Sequence, residues 1–254
     1  MGITRDQILD ELEYLAALEH ALVVDHLQIY YALGTDENLG APGGEPSPQG
    51  TEAANASFLM AISDMRHFGS VVGVLVRAGR RPAFERARHV LPPAGPAIPL
   101  GSLTPAQFHA FTERQEAIAS TVDARYASFE SVLTSASPPL DSDLMGEIGV
   151  LLVSGTDHLA QVPGLVDPLA GMEPSAYLRA TRVEPADDLE RSLLAVSNRY
   201  YRTLLAILGA RFTHQELAGD LFGRAQTAMT ELDGCNKLLV ARGVIPRFSL
   251  ATAD

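Results

Sequence analysis

The chain has 254 residues, of which 46% are hydrophobic, and a formal net charge of −12. This length allows one large domain or two small ones, and the acidic balance argues against binding to nucleic acids or to anionic membranes. Cys235 is the single cysteine, which excludes an internal disulfide and fits a reducing compartment. The amino terminus is acidic where a signal peptide is basic, and no apolar run approaches the roughly 20 residues that span a bilayer. We therefore expect a soluble, cytoplasmic protein.

Six segments have the apolar spacing of helices, and none alternates as a half-buried strand does. The predicted helices cover about residues 4–33, 54–78, 104–134, 143–169, 186–212 and 213–242. Three pairs have the spacing of a capping box at a helix start, namely Thr4 with Gln7, Thr104 with Gln107, and Thr213 with Glu216. Residues 34–53 and 80–102 are rich in glycine or proline and are predicted to be loops. The pattern predicts an all-α fold, with a four-helix bundle in residues 1–170 and an appended helical pair in residues 171–254.

The apolar stripe of each predicted bundle helix includes a polar residue near its middle. These residues are Glu19 and His26 in the first helix, Asp64 and His67 in the second, Gln115 in the third and His158 in the fourth. Burying such groups costs several kcal/mol unless they pair with one another or bind a metal. The seam of the first helix selects His26 over its neighbour Asp25, which we expect to be solvated or to face another subunit. His20 lies off the seam, and we expect it to be partly exposed.

Asp64 and His67 are three residues apart, so both point to the same side of their helix. Together with Glu19 they would offer the oxygen and nitrogen donors that suit iron or manganese. Two plainer interpretations stay open. Asp64 and His67 could form an ordinary hydrogen-bonded pair, and Glu19 could be a structural acid bonded to a tyrosine such as Tyr30 or Tyr31. A single histidine on an apolar stripe, such as His158 or His26, is more often a core residue than a ligand.

Several stretches resemble ferritin-like proteins. "LAALEHALVVDHLQIYYALG" is similar to their first helix, and "AISDMRHFGSVVGVLVRAGRRP" is similar to their second, which carries Glu-x-x-His. "GPAIPLGSLTPAQFHAFTERQEA" resembles the coil and third-helix start of one branch, the ferritin-like domain of the iminophenylpyruvate dimer synthases of bisindole biosynthesis. The resemblance covers about residues 8–170 and implies a ferritin-like four-helix bundle.

The resemblance also implies a metal site. Glu19 matches the first-helix glutamate, Asp64 and His67 match the second-helix pair, and His158 matches the fourth-helix histidine. Two departures deplete the set of acids: Gln115 stands where the third helix would carry glutamate, and Gly155 stands three residues before His158. With two seam carboxylates, we expect at most one iron per chain, held by Glu19, Asp64, His67 and His158. The alternative of no bound metal stays open.

Three functions follow as hypotheses. The first is an iron-dependent oxidoreductase that acts on a small organic molecule in natural-product biosynthesis, with His67, Asp64, His26 and His158 as catalytic residues. The second is a metal-free cyclase, lyase or isomerase that uses His67 and Asp64 as an acid–base dyad. The third is a non-catalytic helical binding protein. We expect a small-molecule substrate and no nucleic-acid or membrane partner, and a homodimer is left open.

Overall fold

The computed structural model describes residues 4–33, 47–81, 84–88, 111–133, 142–173, 176–179 and 182–250. The α-helices in this part of the chain are α1 (Arg5–Ala32), α2 (Pro48–Arg77), α3 (Phe111–Leu133), α4 (Ser142–Ser154), α5 (His158–Val166), α6 (Asp188–Thr213) and α7 (Ala218–Ala241). Short 3-10 helices cover Asp167–Leu169 and Gln215–Leu217. The β-pairing found in the described ranges is limited to isolated bridges, Leu33 with Leu178 and Arg182 with Val244. The all-α prediction is therefore confirmed.

The chain divides into two compact units. The first comprises Met1–Val23, Leu59–Pro99 and Phe111–Pro163, and the second comprises Val24–Phe58, Leu100–Ala110 and Gly164–Asp254. Both units are discontinuous in sequence, because long helices such as α1 and α2 contribute residues to each. The division predicted between residues 170 and 171 stays a prediction.

In the first unit, α1 begins as its sequence predicts. The backbone N–H of Thr4 donates to Oε1 of Gln7 at 2.9 Å, and the N–H of Gln7 donates to Oγ1 of Thr4 at 3.3 Å. A bidentate ion pair joins α1 and α3, in which Arg125 donates to both carboxylate oxygens of Glu11 at 2.7 and 2.8 Å. The same guanidinium lies 4.2 Å from the ring centre of Tyr14. These contacts hold α3 against α1 on the outer side of the seam.

The predicted fourth helix, residues 143–169, is not continuous, and this expectation is wrong. It is divided into α4 and α5 by residues 155–157. The cause is Asp123 of α3, whose Oδ1 accepts the N–H of His158 at 3.1 Å and whose Oδ2 accepts the N–H of Leu159 at 3.0 Å. In a continuous helix those two N–H groups would bond to carbonyls four residues earlier. The carboxylate therefore starts a new helix at His158.

Helix starts in the second unit also differ from the sequence prediction. The start of α2 is Pro48, six residues before the predicted start, because the hydroxyl of Ser47 accepts the N–H of Gly50 at 2.9 Å. The predicted cap at Thr213 is wrong, because α6 continues to this residue, whose hydroxyl donates to the carbonyl of Gly209 at 3.0 Å. The cap of α6 is Asp187, which accepts the N–H of Glu190 at 2.8 Å. The predicted capping box at residues 104–107 lies outside the described residues.

The second unit is held together by the pairing of α6 with α7. Leu194 of α6 and Leu239 of α7 pack with Val244 in one buried cluster. Within the same interface, the hydroxyl of Ser197 donates to Oδ1 of Asn236 at 2.5 Å, and both side chains are buried. A buried polar pair of this kind fixes the register of two helices, because any sliding would leave both groups unpaired.

Glu190, in the first turn of α6, forms ion pairs with two arginines. Its carboxylate accepts from Arg182 at 2.5 Å and from the N–H of Ala186 at 2.7 Å, and Nε of Arg242 lies 3.3 Å away. The hydrogen bond from Arg182, followed by that from Ala186, lowers the pKa of Glu190 below its ordinary value. A carboxyl group whose pKa is lower in the folded state than in the unfolded state stabilises the protein at pH values above its unfolded-state pKa. This stabilisation is lost as the pH falls through the folded-state pKa.

We therefore expect Glu190→Gln to lower the Tm at pH 7. The difference in Tm between the variant and the wild type should become smaller below about pH 4. Thermal unfolding followed by circular dichroism between pH 3 and 8 measures this. Glu216→Gln is the control, because Glu216 is exposed, and it should leave the curve unchanged. A difference that is independent of pH would contradict the role given to the charge.

Candidate metal centre

Four ligand-type side chains meet inside the first unit. They are Glu19 of α1, Asp64 and His67 of α2, and His158 at the start of α5, hereafter called the donor cluster. Each residue offers a ligand atom, and these atoms all lie within 4.8 Å of one another. No member is more than 4% exposed. The seam positions selected from the sequence therefore come together in space. Their roles as ligands or catalytic groups stay predictions.

The distances within the donor cluster leave a gap between the groups. Oε2 of Glu19 lies 3.7 Å from Nδ1 of His67, and Nε2 of His158 lies 3.6 Å from Oε1 of Glu19 and 3.7 Å from Oδ1 of Asp64. These separations exceed hydrogen-bonding distance. They are the separations expected of atoms that could approach a common partner from different sides.

Three atoms of the donor cluster are buried without a hydrogen-bond partner in the described part of the chain. These are Oε2 of Glu19, Nδ1 of His67 and Nε2 of His158. Unpaired buried polar atoms are rare in native proteins, and three of them facing one another call for an explanation. Carboxylate oxygens with imidazole nitrogens form a donor set that fits iron or manganese. The residues therefore fit a metal ion.

Two residues of α3 support the donor cluster, and the sequence analysis missed both. Oδ1 of Asp123 lies 3.0 Å from Nδ1 of His158, and the hydroxyl of Tyr126 donates to Oε1 of Glu19 at 2.6 Å. Tyr126 could have been found from spacing, since it lies four residues after Val122 and three before Phe129, which are both on the predicted seam. Asp123 adjoins that seam, and its spacing carries no comparable signal.

The charged groups of the donor cluster shift one another's pKa values. Burial by itself would raise the pKa of Glu19, but the positive charges of the nearby His158 and His67 outweigh it and lower this pKa to about 2. Burial opposes the charged form of His158, yet Glu19 and Asp123 raise its pKa well above the usual range. The pKa of His67 is also raised, against burial, by Glu19. Glu19 and the two histidines thus favour the charged forms of one another.

The other histidine singled out from the first helix, His26, is not a member of the donor cluster. It is buried in the second unit, where its backbone carbonyl accepts the hydroxyl of Ser57 at 2.7 Å. Its role as a catalytic residue stays a prediction. Gln115, the third-helix seam residue, is buried as expected.

Two expectations about neighbouring residues are wrong. His20 is buried, not partly exposed, because its ring packs 5.2 Å from that of Phe68 and Nδ1 lies 3.2 Å from the carbonyl of Glu85. Asp25 is buried as well, not solvated. The alternative in which Glu19 bonds to a tyrosine stays open, with Tyr126 as that tyrosine and not Tyr30 or Tyr31.

Comparison with known proteins assigns the fold. No protein-family model matches the sequence, and no curated protein matches it. The solved structure of a ferritin-like protein from Caulobacter vibrioides is similar, with a TM-score of 0.67 over 98% of this chain and 99% of that one, at 14% sequence identity. The chain has a ferritin-like fold. At this identity the likeness shows the fold alone, and it does not support the finer resemblance to the iminophenylpyruvate dimer synthases.

Among the described helices, α2 is long and apolar enough to cross a membrane by length and composition. Half of its most apolar window is buried inside the protein, and core helices of soluble proteins pass the same test. The helix also places Asp64 and His67 in the donor cluster. Packing in the protein core therefore explains the apolar composition of α2, and a membrane is not needed to explain it.

Asp123 is expected to stabilise α5 measurably. We predict that Asp123→Ala lowers the free energy of unfolding by about 1–2 kcal/mol, because two N–H groups lose their acceptor. Asp123→Asn keeps one acceptor oxygen and should lose less. Urea unfolding measures both.

Glu130→Ala is the matched control, since Glu130 is an exposed acid on the same helix, and it should change the free energy of unfolding by less than about 0.5 kcal/mol. Equal urea midpoints for Asp123→Ala and Glu130→Ala would contradict the capping role.

Proposed function

We propose that this protein is a ferritin-like enzyme that binds one divalent metal ion at the donor cluster, with iron as the first choice of metal. Its reaction would be an oxidative step on a small organic molecule in specialised metabolism. The observation that carries the proposal is the meeting of three buried donor atoms that have no hydrogen-bond partner among the described residues. Such atoms are strongly destabilising unless something binds them.

The donor cluster suits a single ion. Glu19, Asp64, His67 and His158 would hold it, and the two carboxylates with neutral imidazoles would balance one divalent charge. A bound iron would supply oxygen activation or Lewis acidity. Two metal ions would leave about two positive charges uncompensated in a buried site, which is unfavourable.

Residues around the donor cluster would prepare it for the ion. Asp123 holds Nδ1 of His158, so Nε2 is the nitrogen that points to the donors. A carboxylate behind a ligating histidine fixes its ring orientation and increases its basicity. Tyr126 holds Oε1 of Glu19, so Oε2 remains for the ion. Burial of all four donors keeps bulk water away from the reacting centre.

A metal-free acid–base enzyme is the second candidate. It is favoured by the raised pKa values of His158 and His67 and the lowered pKa of Glu19, because opposite charges then face one another inside the donor cluster. The hydrogen-bonded histidine–carboxylate pair of such an enzyme would be His158 with Asp123, at 3.0 Å. A small-molecule substrate, a cytoplasmic location and the absence of nucleic-acid or membrane partners remain expectations from composition.

Metal analysis of protein purified without chelator tests the proposal. We expect about one iron or manganese per chain, and we expect Asp64→Ala and His67→Ala each to weaken metal binding by more than about 100-fold. Both variants should keep the helical circular dichroism spectrum, because the apolar seams supply most of the stability.

His214→Ala is the control for adventitious binding to surface imidazoles, since His214 is exposed, and it should bind metal as the wild type does. Wild-type protein without metal would favour the metal-free enzyme, in which His67→Ala and His158→Ala should both be inactive. Two metals per chain at full occupancy would contradict the charge argument.

A further inference from the structure

The ring of Tyr126 leaves no room for a side chain at position 155. A Cβ atom placed on Gly155 would lie 2.5 Å from Cε1 and 2.8 Å from Cζ of Tyr126. Carbon atoms do not approach this closely, so while Tyr126 keeps its place, residue 155 must be glycine. Cζ carries the hydroxyl that bonds to Glu19. The phenol ring therefore fills the space that the first atom of a side chain at position 155 would need.

The same hydroxyl occupies one oxygen of Glu19. Tyr126 is fully buried, and its oxygen lies 2.6 Å from Oε1. The hydroxyl is the donor in this contact, because a carboxylate oxygen can only accept. A carboxylate that bridges two metal ions with one oxygen on each needs both oxygens, and the Tyr126 hydroxyl would oppose this at Glu19. Bundle sites for two metals also draw carboxylates from all four helices.

We propose that Tyr126 limits the donor cluster to one metal ion, because its hydroxyl occupies Oε1 of Glu19 and its ring occupies the place of a side chain at position 155. This inference rests on the proposed metal site. It adds a steric reason for a single ion to the argument from charge. The Tyr126 ring takes the space that a carboxylate side chain at position 155 would need.

The steric half of the proposal is tested on metal-free protein by a double-mutant cycle. Gly155→Ala in the wild-type background should lower the Tm by roughly 3–10 °C, since the new methyl group meets the ring. In the Tyr126→Ala background the same substitution should have almost no effect. Equal Tm changes in the two backgrounds would overturn the exclusion of residue 155 by Tyr126.

The metal half is tested by equilibrium dialysis against Co²⁺. Wild-type protein should hold one Co²⁺ per chain, and Tyr126→Ala/Gly155→Glu should hold two. Tyr126→Ala/Gly155→Gln is the matched control, which has the same shape without the charge and should hold one. A folded Glu double variant that still holds one Co²⁺ would overturn the proposal, whereas wild-type protein that holds none would show that the proposed metal site itself is wrong.

Tyr126→Phe tests the hydroxyl without opening space at residue 155, and it serves if the double variants do not fold. The stoichiometry should stay at one Co²⁺ per chain. The visible absorption of the bound Co²⁺ should change, because Oε1 of Glu19 becomes free to bind the ion. A spectrum identical to that of the wild type would show that the hydroxyl does not restrict Glu19.

Discussion

The carboxylate of Glu19 has no solvent exposure, and it is ionised at neutral pH because its pKa is about 2. An isolated ionised carboxylate in a protein interior is strongly destabilising, so its neighbours are constrained. It is surrounded by the Tyr126 hydroxyl at 2.6 Å, Nε2 of His158 at 3.6 Å and Nδ1 of His67 at 3.7 Å. These three groups come from α3, α5 and α2. One buried charge on α1 thus specifies what three other helices must present to it.

Two further features of the first unit follow from this constraint. His158 can face Glu19 because Asp123 starts a new helix there and bonds to its ring, which explains why the fourth helix is divided. Tyr126 can reach Glu19 because residue 155 has no side chain. The turn at residues 155–157 is therefore part of the same arrangement, and it serves the buried charge.

Much of this arrangement could be predicted from the sequence. Glu19, Asp64, His67 and His158 were found because polar residues on apolar seams must have partners, and seams meet in the core. The exposure of His20 and Asp25 was mispredicted because seam spacing assumes one buried face, whereas residues 18–26 of α1 are buried on every side. The division of the fourth helix was missed because its cause, Asp123, lies 35 residues away from His158. Local periodicity cannot report a cap that comes from another helix.

The nine residues of α5 are too few to form a stable helix by themselves in water. Its first N–H groups depend on Asp123, so α5 is held in place only where α3 has docked. A chain in which only α1 and α2 have formed carries three of the four donors, and His158 joins them when α3 and α5 are in place. A complete set of donors is thus a property of the finished first unit, and a nascent or partly unfolded chain presents a weaker chelator than the native protein does.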